Sequence, residues 1–272
     1  MALTVSDAGR WMEWYPEASQ RVRKQIDCVL DVRVGLTADE AVDIFPAKNN
    51  GSPVLIYLHG GYWTWGTNKH FSFVARGLVK HGITVVVANY SLCPKVSIDE
   101  ITRQCRAAVA WVYQNIHGYN GDPEQIFVMG HSAGGQQVGM LLSTDWQDEY
   151  GLTVNVVKGG ISISGIFDLR PLHYSYLQPK LLLTHETILR QSPYLNVPDS
   201  APPLLLTFGQ DETSEFHRQT TDFLQLWYAH RLTGELFVQE NKHHYSAIQG
   251  LNDSSSILCK HVKNFMEQIR MP

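Results

Sequence analysis

From Val54 onward, short apolar runs alternate with helix-like segments, and few folds accommodate that order. Val54–Leu58, Thr84–Ala88 and the run from Ile126 to Met129 are short and lack polar alternation, as expected of strands covered on both faces. Helical patterns near Phe71–His81 and from Ser97 to about His117 separate them, the second with Ile101, Cys105, Ala108, Val109 and Val112 on one face. Val156–Ile163, Pro203–Phe208 and Glu235–Gln239 continue the strands, and a closing helix runs from about Ser254 to Ile269. The order predicts one α/β domain over residues 1–272, a doubly wound, mostly parallel sheet with helices on both faces. Two modest strands, Cys28–Val34 and Ala41–Phe45, precede it, behind an N-terminal packing arm and helix carrying Trp11, Trp14 and Tyr15. The stretch 165–202 breaks the rhythm with two helix-like pieces, Pro171–Leu177 and Lys180–Leu189. An insert of this kind, after a strand's C-terminal end, is expected to form a small helical cap over a site.

The strand ending at Met129 runs into Gly130-His131-Ser132-Ala133-Gly134, and a helical pattern begins at once after it. Strand, sharp turn and helix are the context in which Gly-x-Ser-x-Gly presents a nucleophile, because the turn lifts the hydroxyl clear of the sheet edge. The N-terminal N–H groups of the following helix favour negative charge developing at that point. Ser132 is therefore the candidate nucleophile.

A serine hydroxyl needs a base, and the base needs an orienting acid; in doubly wound hydrolases both follow the serine in chain order. Asp211, just past the apolar strand Leu204–Phe208, is the expected acid. Glu212 stands beside it, but strand alternation would point it elsewhere, and Asp168 competes from the end of the preceding strand. For the base, the loop Glu240-Asn241-Lys242-His243-His244-Tyr245 offers His243 and His244, which pattern alone does not separate. A third constellation, His59-Gly60-Gly61-Tyr62-Trp63, follows the strand at Leu58. Backbone N–H groups of Gly61, Tyr62 and Ala133 are the expected oxyanion donors, with His59 as a buttress. Tyr62, Trp63 and Trp65 are expected at the pocket mouth, in contact with substrate.

Composition excludes several other functions. The 272 residues are 44% hydrophobic and carry a net charge of −4 with Lys and Arg scattered, so no basic footprint for nucleic acid exists. No apolar run approaches the ~20 residues of a membrane span, and no cationic, apolar leader is seen, so a cytoplasmic location is expected. Cys28, Cys93, Cys105 and Cys259 are too far apart for a zinc or redox pair and read as free thiols. His185-Glu186 would open a zinc-binding His-Glu-x-x-His, but Leu189 occupies the second ligand position; no metal is expected. No phosphate or dinucleotide loop occurs, so no cofactor is expected. A homodimer is left open.

On these residues the chain resembles the α/β-hydrolases on the side of the hormone-sensitive-lipase-like esterases. More narrowly, it resembles the kynurenine formamidase (arylformamidase) family in its animal form. His59-Gly60-Gly61-Tyr62-Trp63 is similar to that family's His-Gly-Gly-x-Trp, Gly130–Gly134 to its nucleophile motif, and His244-Tyr245 to its terminal histidine followed by an aromatic. The resemblance selects His244 over His243, although His243 stands where the family has an acid. It implies the α/β-hydrolase fold and hydrolysis of N-formyl-L-kynurenine to L-kynurenine and formate by Ser132, Asp211 and His244 through a formyl-enzyme. A general esterase of short acyl groups and, more distantly, a non-catalytic binding protein are the alternatives.

Overall fold

A computed structural model describes residue 5 and residues 7–270. Helix α1 (Ala8–Gln25) is followed by strands β1 (Val29–Arg33), β2 (Ala41–Phe45) and β3 (Ser52–Leu58). Short helices α2 (Asn68–Phe71) and α3 (Ala75–Val79), joined by a 3-10 turn, lead to β4 (Thr84–Ala88). Then come α4 (Ile98–Asn115), β5 (Gly121–His131), α5 (Ala133–Leu142), α6 (Trp146–Tyr150) and β6 (Val157–Ile163). Two further short helices, α7 (Gln178–Leu181) and α8 (His185–Gln191), precede β7 (Leu204–Gly209), α9 (Ser214–Ala229), β8 (Gly234–Gln239) and α10 (Ile257–Arg270).

The strands form one sheet in the order β1-β2-β4-β3-β5-β6-β7-β8. β1 and β2 are antiparallel to their neighbours; every pairing from β4 to β8 is parallel. All seven residues of β3 are buried, which explains its unbroken apolar run: a central strand packs on both faces. Alternate side chains separate two cores. Val54, Ile56 and Leu58 pack with α4, α5 and α9 on one face; Leu55 and Tyr57 pack with α1, α3 and α10 on the other.

The expected doubly wound sheet is present, with local differences. The single helix expected over Phe71–His81 is divided into α2, a 3-10 turn (Ser72–Val74) and α3. β5 begins at Gly121, upstream of the apolar run at Ile126, and its pairing with β3 is irregular between those two residues. The crossover α9, not singled out in the sequence, is what a parallel β7–β8 pair requires. α1 lies over the sheet as an N-terminal arm should. Ser19 Oγ donates to the His70 carbonyl (2.7 Å), Arg23 Nη1 to the Lys69 carbonyl (2.6 Å), and Tyr15 Oη to the Tyr245 carbonyl (2.6 Å). All four cysteines are free. No helix among the described residues is long and apolar enough to cross a membrane.

Candidate active site

Ser132 sits between β5 and α5 with φ 57° and ψ −115°. That backbone costs a non-glycine residue on the order of 1–3 kcal/mol, and it persists only where the surroundings enforce it. Here the Ser132 N–H donates to the Ile163 carbonyl of β6 (2.9 Å), and the Ser132 carbonyl accepts from Gln136 N–H one turn into α5 (3.1 Å). Gly134 is required by close approach, since a Cβ there would fall on the Leu58 carbonyl of β3. Ser132 is thus fixed at the N-terminus of a ten-residue helix, in the wall of a cavity of about 300 Å³.

His244 lines the same cavity from the loop after β8. Its Nδ1 lies 2.7 Å from Glu212 Oε2, and this carboxylate, not that of Asp211, is the one that reaches the imidazole. The expectation for Asp211 fails for a local reason. β7 ends at Gly209 and the chain turns there, with Glu212 N–H donating to the Gly209 carbonyl (3.0 Å). Strand alternation no longer applies past the turn; residue 212 swings inward, and Asp211 is left exposed. The rest of the Glu212 carboxylate is also satisfied, by Gly209 N–H (2.8 Å) and by the Ser164 hydroxyl. Burial alone would raise the Glu212 pKa, but the charge of His244, its hydrogen bond and the donors from Ser164 and Gly209 together hold it below the usual glutamate range. An ionised acceptor at Nδ1 requires the proton there, which leaves the Nε2 lone pair of a neutral ring available as a base.

The competitors are engaged elsewhere. Asp168 is held by the Arg170 guanidinium through two hydrogen bonds of 2.9 Å. His243 turns to α1, with Nε2 3.3 Å from Asp7 Oδ1 and its ring 5.6 Å from Trp11. His131, which the sequence reading left without a role, is buried beneath His244, and its Nε2–H donates to the His244 carbonyl (3.0 Å). Burial, followed by the nearby His244 charge, pushes the His131 pKa far down. A neutral ring therefore supports the loop without placing a positive charge 4.6 Å from His244.

Opposite Ser132 runs the loop after β3. Gly61 (φ 120°), Tyr62 (φ 51°) and Trp63 (φ 55°) form a run of left-handed residues. The Gly61 carbonyl is turned away, accepting Thr64 N–H (3.0 Å) and Trp65 N–H (3.1 Å). Among the described residues, the N–H groups of Gly61, Tyr62 and Ala133 donate to no acceptor in the chain. His59 braces the loop, with its ring stacked between Tyr90 (4.1 Å) and Phe71 (5.4 Å) and Nδ1–H donating to the Gly60 carbonyl (2.8 Å). Its full burial lowers its pKa to about 4.

Tyr62 and Trp65 line the cavity, together with Tyr176 and Tyr245. Trp63 does not, contrary to expectation. The left-handed backbone at residues 62 and 63 turns its indole into the core, where it is fully buried and its Nε1–H donates to Gln136 Oε1 (3.2 Å). The segment between β6 and β7 contributes Tyr176, Leu177 and Lys180, and α1 contributes Met12 and Tyr15. A larger cavity, about 520 Å³, lies against β8 and α10 and contains none of the residues just described around Ser132; the polar chemistry is in the smaller one. Among the described residues, no cluster of three or more His, Cys, Asp or Glu is placed to hold a metal ion.

A mostly parallel sheet of this order, with a strained serine at the β5–α5 turn, defines an α/β-hydrolase. Solved structures agree on the fold: a protein of Silicibacter sp. superposes with a TM-score of 0.85 over 95% of both chains at 24% identity. Esterase B of Lactobacillus rhamnosis does so with 0.73 over 98% and 95% at 16% identity. The family model described as BD-FAE matches residues 42–226. The kynurenine formamidase of Danio rerio is 30% identical over 249 residues (89% of this chain, 83% of that protein), and that of Salmo salar is 32% identical over 245 (87% and 81%). The chain belongs to the BD-FAE family and, within the α/β-hydrolases, to the kynurenine formamidase-type hydrolases.

Proposed function

We propose that this hydrolase converts N-formyl-L-kynurenine to L-kynurenine and formate, with Ser132 as nucleophile, His244 as general base and acid, and Glu212 as the carboxylate that orients His244. The reading is carried by the 2.7 Å bond from Nδ1–H of His244, which shares a cavity with Ser132, to an ionised Glu212 buried behind it. His244 Nε2 takes the Ser132 proton as Oγ attacks the formyl carbon. The resulting oxyanion accepts hydrogen bonds from the N–H groups of Gly61, Tyr62 and Ala133, a role supported by their having no acceptor within the described chain. His244 then gives its proton to the anilide nitrogen, kynurenine departs, and water activated by the same imidazole releases formate. The acyl group is a single carbon, so recognition falls to the aryl leaving group, which suits walls made of Tyr62, Trp65, Tyr176 and Tyr245.

The test is the appearance of kynurenine absorbance on adding N-formyl-L-kynurenine. The parent turns over, and Ser132→Ala loses about 10⁵-fold or more in kcat. A parent kcat/KM for 4-nitrophenyl acetate larger by orders of magnitude would make the chain a general short-acyl esterase instead.

A further inference from the structure

We infer that Lys180 selects substrates whose leaving group carries an anionic group, by pairing its ammonium with that group at the rim of the cavity. The inference rests on the Ser132 cavity being the hydrolytic site, and for formylkynurenine it assigns Lys180 to the substrate's α-carboxylate.

Lys180 is the one lysine or arginine in the cavity wall, and no aspartate or glutamate lines that wall. Among the described residues no carboxylate lies within ion-pair distance of its ammonium, whereas Lys69, Lys95 and Lys263 are each paired at 2.6–2.8 Å. The backbone that carries it is anchored. Leu177 and Leu181 are buried on either side, and the Gln178 amide closes the turn by donating to the Leu183 carbonyl (2.9 Å) and accepting from Leu183 N–H (3.2 Å). A fixed stem with a free head is the arrangement expected of a cation whose partner arrives with the ligand. With no carboxylate in the wall, an ester whose leaving group carries an ammonium and no carboxylate finds no charged partner there.

Matched esters isolate the charge: 4-acetoxybenzoate against its neutral methyl ester, with the purified full chain. The readout is the ratio of kcat/KM, anionic over neutral. Lys180→Met lowers this ratio about two- to fivefold, through KM and not kcat, and Lys180→Arg restores it. Raising salt from about 0.05 M to about 0.5 M lowers the ratio in the parent and leaves it flat in Lys180→Met. The Ki of benzoate relative to benzamide gives the same ratio without turnover. An equal ratio in parent and Lys180→Met, or failure of arginine to restore it, overturns the assignment. The two readings fail separately. A chain that hydrolyses the esters with the expected ratio but leaves formylkynurenine intact refutes the formamidase reading and keeps Lys180. Turnover of formylkynurenine with an unchanged ester ratio does the reverse.

Discussion

Replacing Glu212 by glutamine tests which of two adjacent acids serves His244. The wild-type carboxylate accepts from three donors: His244 Nδ1–H, Gly209 N–H and the Ser164 hydroxyl. A glutamine of the same length has one accepting oxygen and an NH₂ that only donates. If the NH₂ faces His244, Nδ1 must accept, the ring proton moves to Nε2, and the base toward Ser132 is lost. If the oxygen faces His244, the tautomer survives, but the Gly209 N–H loses its acceptor and the imidazolium formed during attack has no counter-charge. The first arrangement is the one that loses a serine hydrolase about 10⁴ in kcat, or roughly 5.5 kcal/mol of transition-state stabilisation. Asp211 is exposed and only its backbone N–H is engaged, to the Lys242 carbonyl (2.9 Å), so Asp211→Asn stays within about twofold of the parent. Initial rates of kynurenine formation at neutral pH, with thermal melts to show that both variants are folded, decide between them. A folded Glu212→Gln retaining a tenth of the parent kcat/KM, or an Asp211→Asn that loses 10³-fold, would refute the assignment.

Two further outcomes are expected. His59 titrates at about 6.5 when unfolded and at about 4 when folded, so between these values the unfolded chain binds the extra proton and stability falls as pH falls. From pH 7.5 to pH 5 this group costs about 2 kcal/mol, so urea unfolding of His59→Asn loses that much less stability than the parent over the same interval; equal losses would place His59 in contact with solvent. Trp63→Phe leaves Gln136 Oε1 without its donor and costs roughly 1–3 kcal/mol, read as a lower Tm with KM within about twofold; a raised KM with unchanged Tm would return Trp63 to the substrate pocket.

The sequence conveyed those parts of the molecule whose determinants are local. β3 and β4 were legible because a strand buried on both faces has to be apolar at every position. Ser132 was legible for the same kind of reason: the glycine two positions beyond it answers a backbone contact with β3 that any side chain would block. The carboxylate that reaches His244 was not, because strand alternation states which way a side chain points only while the strand lasts. β7 stops at Gly209, and the hydrogen bond from Glu212 N–H back to Gly209 reverses the direction that alternation would have assigned. Trp63 fails in the same way: consecutive left-handed residues in a loop carry no pattern, and two of them were enough to send the indole inward.

The neighbours His243 and His244 show a second limit. What separates them lies far away in the chain, with Asp7 and Trp11 of the N-terminal arm drawing one ring outward and Glu212 drawing the other inward. The arm also reaches the next residue, through Tyr15 Oη on the Tyr245 carbonyl. The loop that presents His244 is therefore held from both sides, by α1 on its outer face and by His131 on its inner face. A short loop with one free direction would let either histidine face the serine. Two independent anchors on adjacent residues hold the register in which the His244 imidazole lines the cavity of Ser132 and turns its Nδ1 to Glu212, and the residues that impose it lie at the start of the chain and beside Ser132, outside the loop's own sequence.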